Sequence, residues 1–213
     1  MLMDHMGHIA LTDFGLSKQN IDKSGGATTF CGTAEYIAPE LLYNRPYGAA
    51  VDWWSFGIIL YEMVNGTTPY FNKNRKLMYQ SIAKKDPSYP AFFSPELSEV
   101  IAGLLIKDEH QRLGIHSLTH SLTHSLTHSL VGAGAGGAND IMNSKFFKTI
   151  DFNLLYQRQV KPPFKPEAES ITDTNYVPSS LLNTEAKDSI AVAPKKSSNV
   201  DFGGFTYNPD VEK

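Results

Sequence analysis

Cysteine is almost missing from these 213 residues: Cys31 stands alone, so no disulfide can form within the chain. That excludes a disulfide-stapled secreted scaffold and points to a reducing compartment, the cytoplasm or alternatively the nucleus. An excess of charge of either sign is missing too. Nineteen basic residues against 22 acidic ones leave a formal net charge of −3, so nothing global calls for nucleic acid or an anionic membrane. Long hydrophobic runs are missing: none approaches the ~18 residues of a membrane span. The first eight residues lack the basic start and apolar stretch of a secretory leader. What is present, 41% hydrophobic and 19% charged residues, is an ordinary globular composition diluted by low-complexity sequence.

The strand-like runs "MLMD" and "HIALT" flank Gly7, which predicts a short β-hairpin over residues 1–14. A polar loop rich in Gly, Ser and Thr follows over 15–38 and ends in "IAPE"; so long a loop inside a compact domain is usually functional. "VDWWSFGIILYEMV", 51–64, predicts a helix with Asp52 in the N-cap position and Gly66 just past its end. It is apolar on nearly every face, the pattern of a helix buried all round. "NRKLMYQSIAKK", 74–85, is amphipathic. "SPELSEVIAGLLIKD", 94–108, has Ser94 as cap and Pro95 at the first helical position. "NDIMNSKFF", 139–147, predicts a short helix entered through Asn139. From Asp151 onward Pro, Ser, Asn and charge dominate, which predicts an extended tail rather than a second core.

Between the last two helices lies a low-complexity insertion, 116–138, in which His116, His120, His124 and His128 recur every four positions. On a helix they would stack on one face at the spacing with which paired histidines hold zinc. Perfect tetrapeptide repetition running into Gly/Ala filler fits a slipped repeat in a surface loop better. No acidic partner in the repeat could orient the imidazoles. No metal is assigned there.

The segments "DFGLSK", "TFCGTAEYIAPE", "AVDWWSFG", "KDEHQRLG", "PPFKP" and "FGGFTY" occur in that order along the chain. Together they resemble the carboxy-terminal part of an AGC-group serine/threonine protein kinase. The similarity is greatest to the protein-kinase-B, serum-and-glucocorticoid-regulated and ribosomal S-six branches. The resemblance implies a mainly α fold: part of a kinase large lobe over 1–150, with its activation segment at 13–40, and the AGC tail over 151–213. The small lobe is expected to be absent from this chain.

The resemblance assigns roles residue by residue. Asp13 would hold Mg²⁺ on ATP, because phosphoryl transfer spreads negative charge over three oxygens that a carboxylate-held cation neutralises. Gly15 would free the turn behind it, and Phe14 would pack as an apolar plug. Thr29 matches the activation-loop phosphosite, with Thr28 as its neighbour and competitor, and Lys18 is a partner for the phosphate. Thr33 corresponds to the threonine that touches the catalytic base. Phe30, Ala34 and Ile37 fall where the pocket for the residue after the phosphoacceptor is shaped, with Ala34 in place of the usual proline. Glu35 and Glu62 match acidic positions that contact arginines upstream of the target, implying basophilic protein substrates. Glu40 and Arg112 match a buried ion pair beside Trp54. Phe202 and Phe205 would insert into a small-lobe pocket, with Thr206 phosphorylated, within a hydrophobic motif over 202–207. A turn phosphosite is expected among Ser179, Ser180 and Thr184.

Aligned on Asp13, the second magnesium-binding asparagine would fall one residue before Met1, with the catalytic aspartate earlier still. The sequence contains no "HRD", no "GxGxxG" and no "VAIK"-like lysine. Losing a general base alone costs about 10²–10⁴ in rate. The expectation is therefore a kinase portion that uses ATP and Mg²⁺ only with further sequence and is inactive alone. The implied partners are proteins with arginine upstream of the target and an upstream activating kinase of the phosphoinositide-dependent type; the protein is otherwise expected to be monomeric. The alternative is a non-catalytic remnant that offers "FGGFTY" to an upstream kinase as docking partner or decoy.

Overall fold

A computed structural model describes residues 1–18, 21, 26–115, 137–167, 173–177 and 179–182. The histidine repeat, the hydrophobic motif with Phe202, Phe205 and Thr206, and Thr184 lie outside the described residues. The chain divides into two units, Met1–Pro166 and Glu167–Lys213.

The first unit is mainly helical. Strands β1 (Leu2–Met3) and β2 (Ile9–Ala10) pair antiparallel, Leu2 opposite Ala10 and Met3 opposite Ile9. Gly7 makes the turn with φ 94°, and a Cβ there would strike the backbone of Phe164. Asp4 pins the same turn by accepting from the Met6 and His8 amides, both at 2.9 Å. The helices are α1 (Pro39–Leu42), α2 (Ala50–Asn65), α3 (Arg75–Lys84), α4 (Pro95–Leu104), α5 (Ala138–Met142) and α6 (Phe152–Tyr156). A 3-10 turn, Ala34–Tyr36, precedes α1.

Helix α2 is the axle, and α4 packs along it. Ala50, Trp54, Gly57, Ile58 and Tyr61 form its buried stripe, at helical spacing. Around them close Ile37, Leu41, Met78, Ile82, Leu97, Ile101 and Leu105. A neighbouring stripe of α4 contributes Val100 and Leu104 to a smaller cluster with Leu113 and Ile141. Gly57 lets the two helices approach, since a Cβ there would lie 2.8 Å from Leu104 Cβ.

Four expectations need correction. Helix α2 is not buried all round: Met63 is 64% exposed and Val64 is exposed beside it, because the closing elements cover one stripe and its flanks. Asp52 is not its cap. Ala49 is, and Asp52 falls in the first turn, because the Asp52 amide already donates to the Ala49 carbonyl at 3.1 Å. Helix α4 begins on the Ser94 cap as expected, with Ser94 Oγ accepting from the Leu97 amide, but stops at Leu104 rather than 108. The carbonyls of Ile106 and Lys107 turn aside to accept from Arg112. Helix α5 is shorter than 139–147 and is entered through Gly137, at φ 57°, with Asn139 inside it.

In the second unit, Asp173 Oδ1 accepts from the Asn175 amide at 2.8 Å and the Tyr176 hydroxyl from the Glu167 amide at 3.0 Å. A short helix, α7 (Ser179–Leu182), begins with the two serines singled out as phosphosites.

Candidate functional site

The site is built on the segment from Asp13 to Glu40, laid against α2 and the loop before it. Asp13 adopts φ 66°, the left-handed region that aspartate tolerates better than most residues. The turn is therefore made by the carboxylate-bearing residue itself, and Gly15 does not need a positive φ. Both Asp13 and Phe14 face outward, and Phe14 is 66% exposed, so the plug expected of it has no cover among the described residues.

Lys18 Nζ donates to Thr29 Oγ1 at 2.8 Å, eleven residues away in sequence. The loop carrying Thr29 is fixed from its other side. Ala27 and Tyr47 exchange both backbone hydrogen bonds at 2.9 Å, and the buried Tyr47 sends its hydroxyl to the Thr29 carbonyl at 2.7 Å. Sequence reasoning missed Tyr47: an aromatic in a Pro/Gly-rich loop carries no mark of the strand it will close on. Phe30 is half exposed and meets the Tyr79 ring of α3 edge-on, with centroids 6.5 Å apart.

Thr33 caps the 3-10 turn without a side-chain bond and is exposed. Ala34 is half-buried and Ile37 is buried in the core. Glu35 and Glu62, 27 positions apart, converge on Tyr36. The Tyr36 hydroxyl donates to Glu62 Oε2 at 2.5 Å, and that bond, then burial, then the charges of Glu62 and Glu35, push the phenol up to about 12. Tyr36 was also missed. Its partner lies on another helix, which no local pattern reveals.

Behind this segment is a cavity of about 460 Å³ lined among others by Lys18, Cys31, Thr33, Tyr36, Asp52 and Ser55. Asp52 opens toward it, and the protein packed around its carboxyl raises the pKa. Glu40 and Arg112 form the anchor. Arg112 is fully buried, its Nη1 donating to Glu40 Oε1 at 2.7 Å and its Nη2 to Oε2 at 2.9 Å. The remaining N–H groups go to the carbonyls of Ala50 (2.8 Å), Ile106 (3.0 Å) and Lys107 (3.4 Å). All five guanidinium donors are used, and the group lies over the Trp54 ring at 5.2 Å.

The arrangement offers a solvent-facing carboxylate, a lysine–threonine contact, an acidic wall and a buried anchor; the Asp13–Glu40 segment carries part of each, and α2 (Glu62) and the stretch after α4 (Arg112) complete the last two. Residues 1–124 match the protein kinase domain family. The chain belongs to the protein kinase family, in its AGC serine/threonine group. It is similar to the human Ribosomal protein S6 kinase alpha-3, 38% identical over 207 residues, covering 97% of this chain and 26% of that protein. The rat RAC-beta serine/threonine-protein kinase is 38% identical over 176 residues, covering 83% of this chain and 33% of that one. The Xenopus laevis RAC-beta serine/threonine-protein kinase A is 35% identical over 222 residues, covering 100% and 41%. The chain thus spans between a quarter and about two fifths of the length of these curated relatives.

In a kinase, Mg²⁺ demands six oxygen ligands in octahedral order. Asp13, exposed and acceptor-only, fits one of them, and the described residues offer no cluster of three or more metal-ligating side chains. In a kinase the remaining positions would be filled by nucleotide phosphates, water and other protein groups, and the ion would neutralise charge that develops on the transferred phosphoryl group.

Proposed function

We propose that this chain supplies the activation segment, the substrate-facing acidic wall and the tail of a serine/threonine kinase. That kinase moves the ATP γ-phosphate onto proteins with arginine upstream of the target residue. The observation that carries the reading is the Lys18–Thr29 contact, placed on the segment that follows Asp13-Phe14-Gly15. A phosphate on Thr29 adds about −1.5 to −2 charge beside the ammonium and turns a neutral-acceptor bond into an ion pair. Tyr47 already holds the Thr29 carbonyl, so the switch acts on a loop partly in place. Glu35 and Glu62, gathered by Tyr36, supply the negative wall that an upstream arginine would meet.

The upstream kinase of the phosphoinositide-dependent type is the proposed source of that phosphate, with the 202–207 motif as its dock. The setting is the cytoplasm or nucleus and the protein is monomeric. The 213 residues by themselves contain neither a motif-borne general base nor a nucleotide-gripping lysine, so alone they transfer no phosphate.

The test uses the intact protein with labelled ATP and a serine peptide carrying upstream arginine. Thr29→Ala should lower kcat/KM by at least about tenfold, because the charge that would order the segment against Lys18 is lost. Glu62→Gln should raise KM for that peptide and leave an alanine-substituted peptide unaffected. Full activity of Thr29→Ala, or equal KM effects on both peptides, overturns the reading.

A further inference from the structure

Lys107 follows α4, on the stretch whose carbonyls hold Arg112. Its Nζ lies 4.4 Å from the centroid of the Tyr70 ring and 4.7 Å from that of Trp54. Those two rings stack nearly parallel at 6.0 Å. The ammonium donates to the Tyr70 hydroxyl oxygen at 2.7 Å. Among the described residues no carboxylate pairs with it within 4.0 Å. Glu40, which lines the same cavity of about 320 Å³, gives both oxygens to Arg112. Arg112 itself repels the Lys107 charge, and Asp86 favours it from longer range. Tyr70 and Tyr89 are both pushed up by burial, stay neutral, and offer no counter-charge. Arg45, Asp108, Glu109 and His110 complete the charged groups around the cavity.

A desolvated ammonium without a counter-anion relieves its cost by losing a proton or by becoming a neutral derivative. The aromatic faces compensate only in part. We propose that Lys107 is a nucleophilic lysine and a site of Nζ-acylation, with acyl thioesters as the donor class. The neutral amine attacks the thioester carbonyl carbon. A C–N bond forms, the C–S bond breaks, and the thiolate leaves with the electron pair while the amine proton passes to it through solvent. The product amide keeps one N–H for the Tyr70 oxygen and removes a charge from beside Arg112. Burial, set against Asp86 and joined by Arg112, already brings the amine down to about 8, so it is neutral far more often near pH 7 than an ordinary lysine.

The test is limiting acetylation of the intact, folded protein by an acetyl thioester of a small thiol, read by peptide mass spectrometry. The exposed Lys73, Lys76 and Lys148 serve as internal standards. Near neutral pH Lys107 should be acetylated at least about tenfold faster than these, with a rate midpoint near pH 8. The preference should vanish in concentrated guanidinium. Asp86→Asn, at an exposed position that packing does not depend on, removes the group that raises the amine's pKa and should speed labelling by about twofold. Labelling of Lys107 no faster than the standards overturns the proposal. So does a preference that survives denaturation, or slower labelling in Asp86→Asn.

Discussion

Arg112 shows how much one side chain can carry. It is charged, fully buried and 72 residues from its carboxylate, yet none of its donors is idle. Burying such a pair is weak evidence for net stability, but removing one member leaves the other desolvated and unpaired. Glu40→Ala should therefore cost about 3–5 kcal/mol, seen as a fall in the denaturant midpoint with the slope unchanged. Lys107, a few ångströms away, has the opposite balance. Its ordinary value is 10.5 and its folded one about 8, so between those values the unfolded chain holds more protons. Stability from this group must rise with pH across that window. Denaturation at pH 8, 9 and 10 should show the rise in the wild-type protein, and Lys107→Met should lack it.

At the scale of elements, the contact between α2 and α4 is decided by a residue with no side chain. Alanine is the better helix former by about 1 kcal/mol, so propensity alone favours Gly57→Ala. Geometry decides otherwise. The added carbon would sit 2.8 Å from Leu104 Cβ and 2.9 Å from Leu105 Cδ2, on the helix that seals the core. Overpacking of this kind costs about 1–3 kcal/mol, and a net loss of stability in urea denaturation is the expected outcome. The caps follow local chemistry more closely. Asn74 accepts from the Lys76 and Leu77 amides, and Gly66 closes α2 at φ 80°. The helix end at Gly66 was legible in the sequence because such a stop needs only its nearest neighbours, whereas Asn74 was read only as the start of an amphipathic stretch. Asp52 was misread as a cap because the turn formed by Gly48 and Ala49 starts the helix earlier, which the pattern of apolar residues does not show.

At the scale of the molecule, the buried stripe of α2 and the outward face of the amino-terminal segment stand in contrast. Leu2, Ile9, Leu11, Phe14 and Leu16 are all exposed, Leu11 by 70%. Five large apolar side chains exposed within the first sixteen residues exceed what single scattered ones explain and mark a segment open to association. The 213-residue chain expressed by itself should bind a hydrophobic dye strongly and elute from size exclusion as more than a monomer. Replacing Leu11 and Phe14 with serine should reduce both signals. Along the tail, Arg158 reaches Asp4 at 3.8 Å and Phe164 lies against Gly7, so residues 158–164 return to the hairpin. The composition predicts an extended tail from Asp151 onward, whereas Phe152–Tyr156 is helical and capped by Asp151, whose side chain accepts from the Asn153 and Leu154 amides.

The sequence by itself was enough to recognise the family, because the motifs that resemble it are local strings readable without the fold. It also determined the hairpin turn at Gly7, the cap at Ser94 and the helix end at Gly66, which depend on neighbours a few positions away. Only the tertiary structure decided which acids meet Tyr36, that Tyr47 holds the Thr29 loop, and that Lys107 lies against the Tyr70 and Trp54 rings with no carboxylate within ion-pair distance among the described residues. Those facts rest on pairings across 18 to 37 residues. Their energies depend on burial and distance, and neither quantity exists until the helices have packed.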